Sequence, residues 1–141
     1  MGFQNNAKRI ITIPLQGGGG LNPTSGSIYH ISNAGVSTNN PAIRCEPMEY
    51  NGIIKNIDAI WHCSGTGGSA EIINAYIRIN NTTDILFASV GTSGQIKVFR
   101  NNNANIPIAI SDYFNIKFVC PTWVTAPSTV YMSGLIWIET T

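Results

Sequence analysis

Six apolar residues at a spacing of two, interrupted once, constrain this chain more than any other feature. Within residues 105–120, Ile106, Ile108 and Ile110 alternate with other residues, Ser111-Asp112 intervenes, and Phe114, Ile116 and Phe118 resume the alternation. A period of two sends successive side chains to opposite faces of a strand, so each triplet forms one apolar face. Asp112 suits the interruption, because its short carboxylate can accept from nearby backbone amides and hold a turn. The stretch predicts two strands joined by a tight bend, both facing one core.

Composition extends this reading to the whole chain. There are 22 Ile and only 4 Leu. Isoleucine is stiff at χ1 and fits a pleated sheet better than a helix. No window places apolar residues at i, i+3, i+4 and i+7, so an all-β chain is expected. Its 141 residues suffice for one domain with a sizeable core. Charged residues make up only 11%, with 16 Asn, 12 Thr and 11 Ser supplying the polarity instead. Such a surface suits a protein covered by partners, although secreted β-domains can share it.

Strands are predicted at 9–15, 27–32, 42–45, 53–63, 70–80, 84–89, 95–100 and 129–139, besides the two in the opening stretch. Turn signals every 8–12 residues suggest an antiparallel β-sandwich of jelly-roll type. Residues 1–141 form a single domain, with 1–8 as a flexible or attachment arm. The run Gly17–Gly20 reads as a loop of little stiffness, and residues 33–41 as a polar loop.

Two strands are apolar on both sides. In 129–139, Met132, Ile136 and Ile138 share one face, and Tyr131, Leu135 and Trp137 the other. In 53–63, Ile53, Ile57, Ala59, Trp61 and Cys63 oppose Ile54, Asn56, Asp58, Ile60 and His62. A sandwich strand ordinarily wets one face. Either the chain's own loops cover the second face or another subunit does. Tyr131, Leu135, Trp137, Ile54 and Ile60 are the candidate interface residues. Trp123, in a loop between Pro121 and Pro127, is the candidate for an exposed surface contact.

Motifs for chemistry are weak. The glycine runs lack the Gly-Lys-Ser or Gly-Lys-Thr of a phosphate loop. His62 and Cys63 are adjacent on a strand and point apart, and no Cys-x-x-Cys or His-x-His spacing appears, so no metal is expected. No Gly-x-Ser-x-Gly elbow occurs. Glu46 and Glu49 read as solvated, and Asp112 as a turn residue. No catalytic residue, cofactor or enzyme activity is expected. Net charge is +1 with scattered Lys and Arg, which argues against nucleic acid. No apolar run is long enough to span a membrane. The start of the chain lacks a signal-peptide core, and Cys45, Cys63 and Cys120 make no disulfide framework. Both fit a reducing cytoplasm. Asn80-Asn81-Thr82-Thr83 reads as a hairpin turn, although it contains two glycosylation sequons. The aromatic residues could include a sugar-stacking platform, but in a β-sandwich they usually serve core or interface.

The segments Gly52-Ile-Ile-Lys-Asn-Ile, Ala75-Tyr-Ile-Arg-Ile-Asn-Asn-Thr-Thr-Asp, Ile108-Ala-Ile-Ser-Asp-Tyr-Phe-Asn-Ile-Lys-Phe and the strand 130–139 resemble jelly-roll domains of bacteriophage fibres and virion appendages. Those domains resemble trimeric tumour-necrosis-factor-like and C1q-like folds. The resemblance covers about residues 50–139. The corner glycine of the pattern is Ser111 here, and the turn is Asn80-Asn81. It implies a TNF-like homotrimer, a non-enzymatic head-fibre or tail-fibre component with a host-attachment role. The N-terminal segment would then join other virion proteins. Exposed loops would meet a host surface glycan or protein. Localisation would be the virion surface, after assembly in the host cytoplasm. The competing expectation is a soluble lectin-like, carbohydrate-binding β-sandwich.

Overall fold

The computed structural model describes residues 8–40, 45 and 48–141. Among these there is no helix, and ten strands carry the fold: β1 (Ile10–Gln16), β2 (Ile28–Ser32), β3 (Gly35–Thr38), β4 (Gly52–Cys63), β5 (Ile73–Ile79), β6 (Thr83–Val90), β7 (Ile96–Asn101), β8 (Ile106–Ile108), β9 (Phe114–Val119) and β10 (Val130–Thr140). All pair antiparallel, in the order β6-β5-β9-β2-β1-β10-β4-β7, with β3 added to β2 and β8 to β4. A single residue pair, Gln16 opposite Ser32, joins β1 to β2. The order therefore divides there into two sheets. The first is β1-β10-β4-β7 with β8, and the second is β3-β2-β9-β5-β6. At the far ends β6 and β7 run side by side without a ladder, so the sandwich is nearly closed.

The two sheets meet through aromatic side chains. Trp61 of β4 lies 5.3 Å from Phe118 of β9, 5.8 Å from Phe99 of β7 and 6.3 Å from Tyr29 of β2, measured between ring centroids. Phe99 and Phe118 are 5.0 Å apart. Edge-on and tilted pairs at these distances add attraction beyond area burial. Around them pack Ile31, Ile57, Ile77, Ile116 and Ile136, all fully buried.

The alternation in 105–120 does what its spacing predicts. Ile106, Ile108, Phe114, Ile116 and Phe118 point inward. Ile110 is exposed, because β8 ends at Ile108 and the bend begins early. The bend carries the chain from β4's sheet to β5's. Asp112 holds it by accepting from the Ala109 amide at 2.8 Å and from Asn80 Nδ2 at 2.8 Å. Ser111 takes φ +72°, the conformation for which a glycine is the easier residue.

Asn80 ties this bend to the β5–β6 hairpin. Its Oδ1 accepts from the Tyr113 amide, and its own amide donates to the Tyr113 carbonyl. Asn80 and Asn81 both have positive φ, as a type I′ turn demands, so asparagines are favoured there. The expected hairpin turn is present.

Two features differ from expectation, and a third lies largely outside the described residues. Residues 33–41 hold a short strand, β3, which Gly-Val-Ser-Thr is too short and too polar to announce. The strand expected at 42–45 lies mostly outside the described residues; Cys45 bridges Phe114. The glycine run is a close-packed crossing. A Cβ on Gly17 would strike the Met132 carbonyl, and one on Gly19 the Tyr131 ring.

Candidate functional site

The outward face of the first sheet is the candidate site. Its geometry starts from β7. Phe99 must enter the core to meet Trp61 and Phe118, and the period of two then turns Lys97 inward as well. Lys97 is 1% exposed, and its ammonium donates to the carbonyls of Thr92 and Gly94. Burial lowers its pKa from the ordinary lysine range. The same parity leaves Ile96 and Val98 outside, at 60% and 40% exposure. The strand is thus inverted relative to its chemistry: lysine in, isoleucine and valine out.

Register continues this apolar surface across the sheet. Tyr131 lies opposite His62, and His62 opposite Ile96. Ser133 lies opposite Ile60, and Ile60 opposite Val98. Pro14 lies opposite Leu135, and Thr12 opposite Trp137. Tyr131 and Ile60 are exposed, Leu135 and Trp137 half-buried. The His62 and Tyr131 rings sit 6.4 Å apart. Arg100 pairs with Asp58 at 2.9 Å and Lys8 with Glu139 at 3.0 Å. A hollow of about 220 Å³ opens at the middle of the face, bordered by Asp58, Ile60, Ser133, Gly134 and Leu135.

Of the candidate interface residues, Tyr131, Leu135, Trp137 and Ile60 share this face. Ile54 does not. It is fully buried on the inner side. A bulge is the cause: Trp137 pairs with Asn56 but Ile138 with Ile54, so Lys55 is an extra residue and the alternation resets. Ile53 correspondingly leaves the buried set. Trp123, expected as an exposed contact, is only 9% exposed, and its amide is held by Ser25 Oγ at 2.9 Å. Its ring turns inward, and the neighbouring Val124 takes the exposed position at 87%.

Ile96 and Val98 were not among the expected interface residues. The signal in the sequence is the parity of Phe99, which competes there with the normal preference of lysine for an exposed position.

Cys45, Cys63 and Cys120 are buried and none is in a disulfide. Burial pushes the Cys63 thiol up, against a smaller opposing effect of Lys97, and pushes Cys120 up to about 11. Such thiols stay protonated and are poor nucleophiles. Among the described residues no three His, Cys, Asp or Glu side chains gather where they could hold a metal ion. Glu46 lies outside the described residues. No described helix is long and apolar enough to cross a membrane. No family model, curated protein or solved structure matches the chain.

Proposed function

We propose that the chain is a non-enzymatic structural subunit that associates with copies of itself, as a homotrimer, through the outward face of β1-β10-β4-β7. The inverted strand β7 carries this reading. Exposing Ile96 and Val98 is unfavourable for an isolated chain and is relieved when a second copy covers the face. The chain's own described loops leave the face largely open, apart from the glycine crossing beside Tyr131.

The sheet order supports a jelly roll of the TNF-like kind, in which β1, β10, β4 and β7 form the sheet turned toward the partner copies. The phage assignment rests on the sequence resemblance alone. On it, the subunit is a fibre or head-fibre component at the virion surface with a role in host attachment. It would be assembled in the host cytoplasm and joined to other virion proteins by its N-terminal segment. The competing reading is a soluble lectin-like, carbohydrate-binding β-sandwich, to which Trp123 offers no exposed ring because it is buried.

Light scattering on a size-exclusion column tests the association. The expected mass is about three times the 15.2 kDa chain. A single-chain mass at micromolar concentration would overturn the reading.

A further inference from the structure

The outward face of the second sheet holds a recess of about 160 Å³ lined by Ile28, His30, Asn39, Arg78 and Lys117. Register assembles it: His30 of β2 lies opposite Lys117 of β9, and Arg78 of β5 opposite Asn115 of β9. Asp84 of β6 serves both cations, at 2.7 Å from Lys117 Nζ and 3.1 Å from Arg78 Nη1. Two cations share one carboxylate, so the cluster keeps one positive charge in excess. The Lys117 and Arg78 side chains are only 14% and 19% exposed, so solvent screens that charge less than it would a free lysine.

The hydrogen-bonding groups are also incomplete. Arg78 Nε is buried and has no partner, although its Nη2 donates to the Asn81 carbonyl at 2.8 Å. An unfilled buried donor is unfavourable, and Nε adds its polarity to the floor of the recess without itself reaching the opening. His30 is 3% exposed, with Nδ1 3.0 Å from Asn115 Oδ1. An amide oxygen only accepts, so Nδ1 carries the proton. Nε2 of the neutral ring is then an acceptor. Burial is the main reason the ring stays neutral; Arg78 and Lys117 add to it, while the Asn115 bond and Asp84 oppose it.

We propose that this recess binds a hydroxylated carboxylate, the acidic unit of a uronic-acid-type sugar. The carboxylate meets Lys117 Nζ, in the excess positive charge that Lys117 and Arg78 hold over Asp84. A neighbouring hydroxyl donates to His30 Nε2. A simple anion uses only the first half of this set, and a neutral sugar only the second. The recess is on the opposite side of the sandwich from the association face, so it stays open when that face is covered. Each reading can fail without the other.

The full chain has two histidines, one on each face, which makes proton NMR of the imidazole signals the direct test. Titration with D-glucuronate is expected to shift the His30 signal saturably and leave that of His62 in place. Acetate and D-glucose at equal concentration should each act far more weakly. Lys117→Gln should weaken glucuronate binding roughly tenfold, the loss of one charge-assisted hydrogen bond. Asp84→Asn should tighten it by freeing both cations, with thermal unfolding used to verify that each variant is folded. No saturable shift, an equal response to acetate or glucose, or unchanged binding in Lys117→Gln would each overturn the proposal.

Discussion

The two outward faces of this sandwich obey the same alternation and end with opposite chemistry. On the second sheet, the outward positions of the central strands include Lys117, Asn115, Tyr76 and Arg78, and the two cations there share the one carboxylate of Asp84. On the first sheet, the outward positions include Ile60, Leu135, Trp137, Ile96 and Val98, while the lysine of β7 is inside. Alternation alone says only that a strand has two sides. Which side is buried is decided by the largest side chain that must reach the core. In β9 that residue is Phe118, and its parity leaves Lys117 outward. In β7 it is Phe99, and its parity turns Lys97 inward.

The largest expected effect comes from removing the hub on which both faces depend. Trp61→Ala should lower unfolding stability by about 3–5 kcal/mol, the range for emptying a large aromatic site. Trp61→Phe should be much milder, because Trp61 Nε1 has no hydrogen-bond partner to lose. Chemical denaturation measures both. Equal losses in the two variants would mean that the indole is held by something other than packing.

Next in size is the separation of the faces by a single charge. Val98→Glu on the first sheet should reduce the solution mass from three chains to one, because an unpaired buried carboxylate at an interface costs several kcal/mol. Leu86→Glu, on the exposed side of β6, should leave the mass unchanged. Both variants, as isolated chains, should keep their stability within about 0.5 kcal/mol of the parent. Dissociation by Leu86→Glu rather than Val98→Glu would assign association to the wrong sheet.

Lys97 tests what inverts β7. If Phe99 sets the parity, Lys97→Met should fold with stability within about 1 kcal/mol of the parent. The carbonyls of Thr92 and Gly94 lie on an exposed loop, where water can replace the ammonium. Hydrogen exchange in residues 91–95 should speed up while the strand amides of β7 stay protected. Loss of protection along the whole of β7 would make the ammonium, rather than the phenyl ring, the organiser.

Much of this architecture was legible because alternation survives wherever strands are regular. The corner at Asp112, the hairpin at Asn80-Asn81 and the two-sided strand 130–140 follow from residue types and spacing. Ile54 falls on the inner face because a bulge inserts one residue and flips the count, and nothing in Ile-Ile-Lys-Asn marks it. The burial of Trp123 is not legible in the sequence, because a loop has no period to say where a ring points. The glycine run has the composition of a slack loop, whereas Gly17 and Gly19 are small because β10 passes directly beneath them. Each miss concerns tertiary approach, which local pattern does not encode.

The smallest expected effect is a pH dependence that distinguishes the faces through their histidines. His30 is buried with its pKa lowered from 6.5, first by burial and then by Arg78 and Lys117, against the Asn115 bond and Asp84. The folded state therefore binds the proton less readily than the unfolded chain. Between the two pKa values the unfolded state carries more protons, so stability rises with pH. The contribution of His30 is fully present above 6.5 and is lost as pH falls through the lowered value. Denaturant midpoints should therefore decline as the pH falls from about 6.5 toward the lowered value, before the carboxylates titrate. His30→Gln should flatten the decline, since the amide can still bond Asn115 but carries no proton-linked charge. If His62→Gln flattened it instead, the acid-sensitive group would sit on the apolar face, and association would be the step that pH controls.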